Sequence, residues 1–232
     1  MSLNHSPAIV TDGLVLCLDA ANIRSYPKTG TTWSDLAGNN NSSIINGAYY
    51  DSSNIGNFTF DGANDYIQLS QDISSPMYSG YTMNIIMSKA ASGSEYHVFN
   101  QWGQSGAGNA SWSVFTTTDN KIRMYHYGPQ STKYVDSSST FAINTIYNIV
   151  FTWDGTLNSN GFKIYIDGVL DISSTMTGSL QVSTNYDPVF GHEAFSNGRD
   201  FNGKIYLTSL YNRALSADEV RRNYEATVGR YT

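Results

Sequence analysis

The chain has 232 residues and a formal net charge of −6, with 14% charged and 40% hydrophobic residues. Its Lys and Arg residues form no cluster, so the basic patch that a nucleic-acid partner requires is not expected. No apolar run approaches the roughly 20 residues that span a bilayer, so membrane insertion is not expected either.

The first strand is predicted at residues 13–19, where an almost continuous apolar run indicates burial on both faces. It contains Cys17, the single cysteine, which excludes an intrachain disulfide and is expected to be a small core residue. Residues 20–49 are rich in Asn, Ser, Gly and Thr and are predicted to form a long surface excursion. Trp33 and Leu36 are expected to pin this excursion to the body of the domain.

Short runs of β-branched, aromatic and other apolar residues follow, separated by turn residues. They predict strands at residues 57–60, 66–69, 81–87, 96–102, 111–115, 121–127, 146–153, 162–167, 189–190 and 204–211. The pairs Asp119-Asn120 and Asp167-Gly168 are predicted hairpin turns. Asp-Gly is a strong signal for a type I′ turn, because glycine tolerates the positive φ that this turn requires.

The C-terminal end is predicted to be a short helix, since Ser216 and Glu219 have the spacing of a capping box. The remaining pattern is about a dozen short strands, with no linker and no shift in composition. It predicts one all-β domain over residues 13–232, preceded by an N-terminal arm at residues 1–12.

Five motifs follow one another along the chain. They are Gly-Leu-Val-Leu-Cys-Leu-Asp-Ala at 13–20, Trp-Ser-Asp-Leu-Ala-Gly at 33–38, Phe-Asp-Gly-Ala-Asn-Asp-Tyr-Ile at 60–67, Phe-Lys-Ile-Tyr-Ile-Asp-Gly-Val at 162–169 and Tyr-Asn-Arg-Ala-Leu-Ser at 211–216. In this order they resemble laminin G-like domains of the concanavalin A-like lectin/glucanase superfamily. The resemblance implies a two-sheet antiparallel jelly-roll sandwich with one short C-terminal helix.

Domains similar to this one include glycan-binding lectins, pentraxin-like calcium proteins, glycoside hydrolases and structural proteins of bacteriophage particles. The first residues show neither the basic segment nor the apolar core of a secretory signal. A phage particle leaves its host cell by lysis, so its proteins need no secretion signal. A single domain without such a signal is therefore typical of a virion component. We therefore predict a non-catalytic virion surface protein, a capsid decoration or a tail adhesin, that binds host glycans or a neighbouring virion protein.

The alternative is a free extracellular lectin, with or without calcium. A homo-oligomer is also left open, because the exposed edge strands of a sandwich can pair. A glycoside hydrolase is the least favoured class. Hydrolases of the similar fold carry two close glutamates on one strand, for the pair of carboxyl groups that flanks the scissile bond. No two glutamates of this chain form such a pair, their positions being Glu95, Glu193, Glu219 and Glu225.

Two groups of residues are candidates for glycan or partner binding, because an aromatic ring can support a sugar while polar groups bind its hydroxyls. The first group, on or beside predicted neighbouring strands, comprises Trp102, Trp112, Tyr125 and Tyr127. The second, in the loop after residues 189–190, comprises His192, Glu193 and Arg199. Packing between the sheets is the alternative role for the aromatic residues, and pairing with each other is the alternative for Glu193 and Arg199.

Calcium is the one cofactor that the resemblance suggests. This ion prefers six to eight oxygen ligands from loop carboxylates and carbonyls. Three donor sets qualify by residue type, namely Asp61 with Asp65, Asp154 with Asn158 and Asn160, and Asp187 with Glu193. None has the spacing of a dedicated calcium loop, and capping of turns explains each set equally well.

Overall fold

The computed structural model describes residues 7–38, 41–70, 79–102, 110–126, 133–176, 187–192 and 199–231. In chain order the strands are β1 (Leu14–Asp19), β2 (Thr32–Ser34), β3 (Asn41–Asn46), β4 (Tyr49–Asp51), β5 (Asn57–Asp61), β6 (Tyr66–Leu69), β7 (Tyr81–Lys89), β8 (Tyr96–Trp102), β9 (Ala110–Thr116), β10 (Ile122–His126), β11 (Lys133–Asp136), β12 (Tyr147–Trp153), β13 (Phe162–Ile166), β14 (Val169–Ser174), β15 (Val189–Phe190) and β16 (Asn202–Tyr211). One turn of 3₁₀ helix (Ser53–Ile55) lies between β4 and β5, and one α-helix, α1 (Ala217–Val228), follows β16.

The strands form two antiparallel sheets of eight strands, which confirms the predicted all-β jelly-roll sandwich. The first sheet has the order β14-β13-β12-β7-β16-β5-β4. The ten-residue β16 is long enough to pair with β5 along its first half and with β1 along its second half. The second sheet has the order β11-β10-β9-β8-β15-β6-β3-β2.

The hairpin between β13 and β14 has the predicted type I′ geometry. Asp167 and Gly168 are its two central residues, with φ of 51° and 77°. The strands predicted at 66–69 and 96–102 have the predicted bounds. Apolar and aromatic residues are frequent in these segments, and the flanking turns limit where each strand can begin and end.

The prediction of a surface excursion at residues 20–49 is wrong for about a third of its length, because β2, β3 and the first residue of β4 lie there. Strand pairing joins backbone groups, which Asn and Ser supply as well as apolar residues do. Trp33, in β2, is fully buried and does anchor the segment. Leu36 is 36% exposed, and its backbone N–H donates to the Cys17 carbonyl of β1 at 2.8 Å, so it anchors the segment through its backbone.

The core between the sheets is rich in aromatic side chains. Its largest fully buried members include Trp33, Trp112, Tyr81, Phe58, Phe60, Phe99, Phe151, Phe162, Phe190 and Phe201. Cys17 is 4% exposed, which confirms the prediction of a core residue, and burial raises the pKa of its thiol to about 12. The described part of the chain contains no helix that is long and apolar enough to cross a bilayer.

The described part of the N-terminal arm is bonded to its own domain. The Val10 backbone N–H donates to Asn223 Oδ1 at 2.8 Å, and its carbonyl accepts from the Tyr211 hydroxyl at 3.0 Å. Arg222 Nε also donates to the Ala8 carbonyl, at 2.7 Å. These bonds hold residues 8–10 against α1 and the end of β16.

Helix α1 begins with the predicted capping box. The Glu219 backbone N–H donates to Ser216 Oγ at 3.3 Å, and the Ser216 backbone N–H donates to the Glu219 carboxylate at 2.8 Å. Arg213 holds the same carboxylate through two bonds of 2.9 and 2.6 Å. The hydrogen bond from Arg213 is the main reason that the pKa of Glu219 is lowered to about 2.

Replacing Ser216 with alanine is expected to lower the free energy of unfolding by about 1 kcal/mol, the usual cost of a lost N-cap bond. Thermal unfolding by calorimetry would measure the change. Ser52→Ala is the matched control, because Ser52 also precedes a helix but makes no side-chain cap bond. An equal loss in both variants would contradict the role assigned to Ser216.

Glu219 is expected to make the protein less stable in acid. Its folded pKa of about 2 lies below its ordinary value of 4.5, so its stabilising effect is complete above pH 4.5 and is lost as the pH falls towards 2. We expect Glu219→Gln to lower stability at neutral pH and to flatten this acid-side decline, as measured by urea unfolding at a series of pH values. Glu225→Gln should keep the wild-type slope, because the ion pair of Glu225 with Arg221 is solvent-exposed. A wild-type slope in Glu219→Gln would refute this account.

Candidate functional site

The outer face of the second sheet carries a cluster of aromatic side chains around one arginine. Along β10, alternate residues are buried in the core, which places Arg123 and Tyr125 on the opposite, outer face. The register pairs Arg123 with Phe115 of β9 and Tyr125 with Tyr134 of β11. We call Phe115, Arg123, Tyr125 and Tyr134 the aromatic face.

The rings of the aromatic face are held in a fixed arrangement. Tyr125 and Tyr134 are nearly parallel, at 12° and with 5.7 Å between ring centroids. The guanidinium carbon of Arg123 lies 3.8 Å from the Tyr134 ring centroid and 5.6 Å from that of Phe115, as in a cation–π contact. Tyr134 is 52% exposed while Phe115 is 5% exposed, so Phe115 is the floor of the cluster and Tyr134 its solvent-facing part.

Asp136 fixes the guanidinium of Arg123 in place. It accepts from Arg123 Nε at 2.5 Å and from Nη2 at 2.8 Å, a bidentate geometry that fixes the plane of the guanidinium group. The bond to Asp136 raises the pKa of Arg123. Because the two charges neutralise each other, the aromatic face presents ring surface and hydrogen-bonding edges more than net charge.

His97, near the start of β8, contacts both the aromatic face and the segment that follows β15. The His97 ring stacks on Phe115 with 4.9 Å between centroids, and its backbone N–H donates to the Arg199 carbonyl at 2.8 Å. Burial, followed by the nearby Arg199 and His192, lowers the pKa of His97 to about 3. His97 is therefore a neutral imidazole at physiological pH and links the two predicted groups of residues.

The rim beside His97 is polar. Arg199 pairs with Glu95 at 3.3 Å, and His192 Nδ1 lies 2.7 Å from Asp200 Oδ1. Tyr66 stacks on His192 with 5.5 Å between ring centroids. The outer face of the second sheet therefore combines aromatic rings with carboxylate, imidazole and guanidinium groups.

The structure assigns different places to the residues predicted from the sequence. Tyr125 belongs to the aromatic face, and His192 and Arg199 lie on its rim. Trp112 does not, because it is fully buried between the sheets and donates from Nε1 to Gln101 Oε1 at 2.9 Å, so its ring has no open face for a sugar. Three predicted side chains, those of Trp102, Tyr127 and Glu193, lie outside the described part of the structure. The predicted pairing of Glu193 with Arg199 lies outside it for the same reason.

Sequence reasoning missed Phe115, Arg123, Tyr134 and Asp136. One signal was available for Arg123, because the alternation Ile-Arg-Met-Tyr-His at residues 122–126 places it on the same side as Tyr125. Tyr134 could not be found in this way. Its place beside Tyr125 depends on the register between β10 and β11, which no local pattern specifies.

The aspartates predicted as calcium ligands make turn and loop hydrogen bonds. Asp61 accepts from the Ala63 backbone N–H at 2.8 Å, Asp65 from that of Asp61 at 2.8 Å, and Asp154 from that of Thr156 at 2.9 Å. Asp187 accepts from Gln68 Nε2 at 2.9 Å. In the parts of the chain that the structure describes, no three His, Cys, Asp or Glu residues come together to hold a metal ion. Calcium binding by these sets stays a prediction.

Comparisons with known proteins agree with this architecture. The laminin G family model described as "Concanavalin A-like lectin/glucanases superfamily" matches residues 61–221. No curated protein sequence matches the chain.

Solved structures with the same fold include two bacterial toxin domains and an enzyme. The receptor binding domain of botulinum neurotoxin C/D mosaic serotype gives a TM-score of 0.72 at 17% identity, over 94% of this chain and 52% of that one. The binding domain of botulinum neurotoxin DC in complex with SialylT gives 0.69 at 14% identity, over 93% and 52%. Trypanosoma rangeli sialidase in complex with sialic acid gives 0.68 at 15% identity, over 97% and 35%. The chain spans about half the length of the toxin domains and about a third of the sialidase, and the likeness establishes the fold.

Proposed function

The chain belongs to the concanavalin A-like lectin/glucanase superfamily, and from that we propose that it is a non-catalytic binding module whose ligand is a glycan. The observation that carries the proposal is the nearly parallel Tyr125 and Tyr134 pair on the outer face of the second sheet. A tyrosine ring can cover the apolar face of a sugar and offer a hydroxyl at its edge. Arg123 and Asp136 hold the rings in position, so little side-chain freedom is lost when a ligand binds.

The polar rim supports the same proposal. Sugar hydroxyls both donate and accept hydrogen bonds, and the pairs Arg199 with Glu95 and His192 with Asp200 offer groups of both kinds beside the rings. The botulinum neurotoxin DC domain was solved with SialylT and the sialidase with sialic acid, so sugars are ligands of proteins that contain this fold.

We propose that no reaction takes place on this face, because the described glutamates do not form a carboxyl pair for glycoside hydrolysis. Glu95 pairs with Arg199, Glu219 with Arg213 and Glu225 with Arg221. Incubation with a fluorogenic sialoside and with a panel of polysaccharides should release no sugar. Release above that of a heat-inactivated sample would overturn this part of the proposal.

A glycan array on the purified protein tests the glycan ligand. We expect saturable binding that persists in a chelator, because the candidate aspartates are engaged in turn and loop hydrogen bonds. Loss of binding on chelation would instead show that a metal takes part. An array without signal in both conditions would contradict the proposal and favour a protein ligand for the same face.

The setting that we propose for the module is the surface of a phage particle, as a capsid decoration or a tail adhesin, with a free extracellular lectin as the alternative. A composition with 14% charged residues and 17 tyrosines suits broad, hydrated contacts. Mass spectrometry of purified particles would find the protein at a fixed copy number. Its absence from the particles would overturn the virion setting and leave the glycan ligand untouched.

A further inference from the structure

The guanidinium group of Arg123 has hydrogen-bond donors that the protein itself does not use. An arginine side chain carries five N–H donors in one plane. Asp136 accepts from Nε at 2.5 Å and from Nη2 at 2.8 Å, which engages the edge that these two nitrogens share. The outer edge, formed by Nη1 and the second N–H of Nη2, makes no hydrogen bond to any residue that the structure describes. We call it the free edge of Arg123.

The free edge is accessible to a ligand. The Arg123 side chain is 20% exposed. Its Nη1 atom is not one of the fully enclosed atoms that lack a hydrogen bond within the described part of the chain, so it retains accessible surface. The guanidinium carbon lies 3.8 Å from the ring centroid of Tyr134, which is 52% exposed. One sugar residue can therefore contact this ring and the free edge at the same time.

The free edge presents two parallel N–H donors. Such a fork binds two adjacent acceptor oxygens at once, which is how arginine recognises carboxylate and phosphate groups. Two hydroxyl groups on neighbouring carbon atoms of a sugar, a vicinal diol, also offer two adjacent oxygens. The geometry of the fork thus admits two classes of ligand, acidic groups and neutral diols, and the charges around the fork distinguish them.

The charges around the free edge cancel. Asp136 neutralises Arg123, and Glu95 pairs with Arg199 on the rim at 3.3 Å. The pKa of Arg123 is raised chiefly by the bond to Asp136, and Glu95 adds to this rise, so Glu95 lies within electrostatic range of the guanidinium group. An anionic group at the free edge would meet two carboxylates as well as two guanidinium groups. It would lose hydration without a net charge to compensate for the loss.

We propose that Arg123 determines the specificity of the aromatic face, and that its free edge binds a vicinal diol of a neutral sugar whose ring lies against Tyr134. This assignment rests on the glycan function proposed above and specifies the class of sugar. Asp136 then has two roles. It holds the guanidinium group in one plane, and it removes the net charge that would attract a sugar with a carboxylate or sulfate group.

A glycan array tests the class of ligand when each neutral oligosaccharide is printed beside its sialylated, sulfated and uronic acid counterparts. We expect wild type to bind the neutral members more tightly. Asp136→Asn should raise the ratio of acidic to neutral affinity about fivefold or more, the effect of one unpaired charge near the surface. Asp51→Asn is the matched control, because Asp51 pairs with Lys204 at 3.0 Å on the other sheet and its loss changes the net charge equally. It should leave the ratio unchanged.

Arg123→Lys tests the fork, because it keeps a positive charge beside Asp136 and removes the two parallel donors. Titration calorimetry would compare the neutral glycan with the strongest array signal and its monodeoxy analogues, each of which lacks one hydroxyl. In wild type, two analogues that lack neighbouring hydroxyls should each bind about fivefold more weakly, the effect of one lost hydrogen bond. In Arg123→Lys the parent glycan should bind more weakly, and the same two analogues should lose little more.

The possible results separate this specificity from the glycan function itself. Tighter binding of acidic than of neutral glycans by wild type would overturn the role of Arg123 and leave the glycan function in place. Equal weakening of both classes in Asp136→Asn, or equal losses for the deoxy analogues in wild type and Arg123→Lys, would do the same. If Asp136→Asn does not fold, the wild-type preference and the Arg123→Lys comparison decide. An array without signal would overturn the glycan function and this specificity with it.

Discussion

Replacing Trp33 with alanine is expected to lower the free energy of unfolding by about 3–5 kcal/mol, the usual cost of removing a large aromatic side chain from a core. Trp33 is fully buried, and its ring centroid lies 4.6 Å from that of Phe58. It is the single buried residue of the three-residue β2, so it carries the attachment of that edge strand to the core.

Urea unfolding of wild type and variant measures this loss. Ile23→Ala and Leu36→Ala are controls from the same polar segment, because these residues are 68% and 36% exposed. We expect each of them to change the free energy of unfolding by about 0.5 kcal/mol or less. A loss below about 1 kcal/mol for Trp33→Ala would contradict the packing described here.

Replacing Tyr134 with alanine is expected to weaken glycan binding about tenfold or more. Covering one face of an aromatic ring removes apolar area worth about 1–2 kcal/mol from water, and each 1.4 kcal/mol is a factor of ten in affinity. Tyr134→Phe keeps the ring and should retain most of the affinity. The fold should tolerate both changes, because Tyr134 is 52% exposed.

Titration calorimetry with the glycan that gives the strongest array signal measures this effect. Tyr49→Ala is the matched control, because Tyr49 is a 57% exposed tyrosine of β4, at the edge of the other sheet. We expect wild-type affinity for it. Unchanged affinity in Tyr134→Ala, or an equal loss in both variants, would place the ligand elsewhere.

The strands that the sequence predicted well are those with dense apolar and aromatic residues. The strand at 96–102 has the bounds that the sequence predicts, and Asp167 and Gly168 form the predicted hairpin turn. Strands β2 and β3 were missed because their residues are mainly Thr, Ser and Asn. Strand β2 is held by pairing with β3, and β3 by pairing with β6, from which the chain segment of β4 and β5 separates it. Local composition carries no information about which distant strand a segment pairs with.

In the candidate site, too, local patterns predict some residues, while others depend on long-range strand pairing. Tyr125 was predicted, and the alternation along β10 would have added Arg123. In β9, however, Trp112 and Phe115 lie on opposite faces, so composition could not tell which aromatic residue faces the core. The choice depends on how β9 pairs with β8, whose register shifts at two irregularities.

Chemical-shift mapping of the strongest array glycan on isotope-labelled protein is the most direct test of the claim that the outer face of the second sheet binds the ligand. We predict saturable shifts at Phe115, Arg123, Tyr125 and Tyr134, extending to His97 on the rim. Saturable shifts that leave these residues unmoved and appear only around α1 or along the first sheet would contradict it.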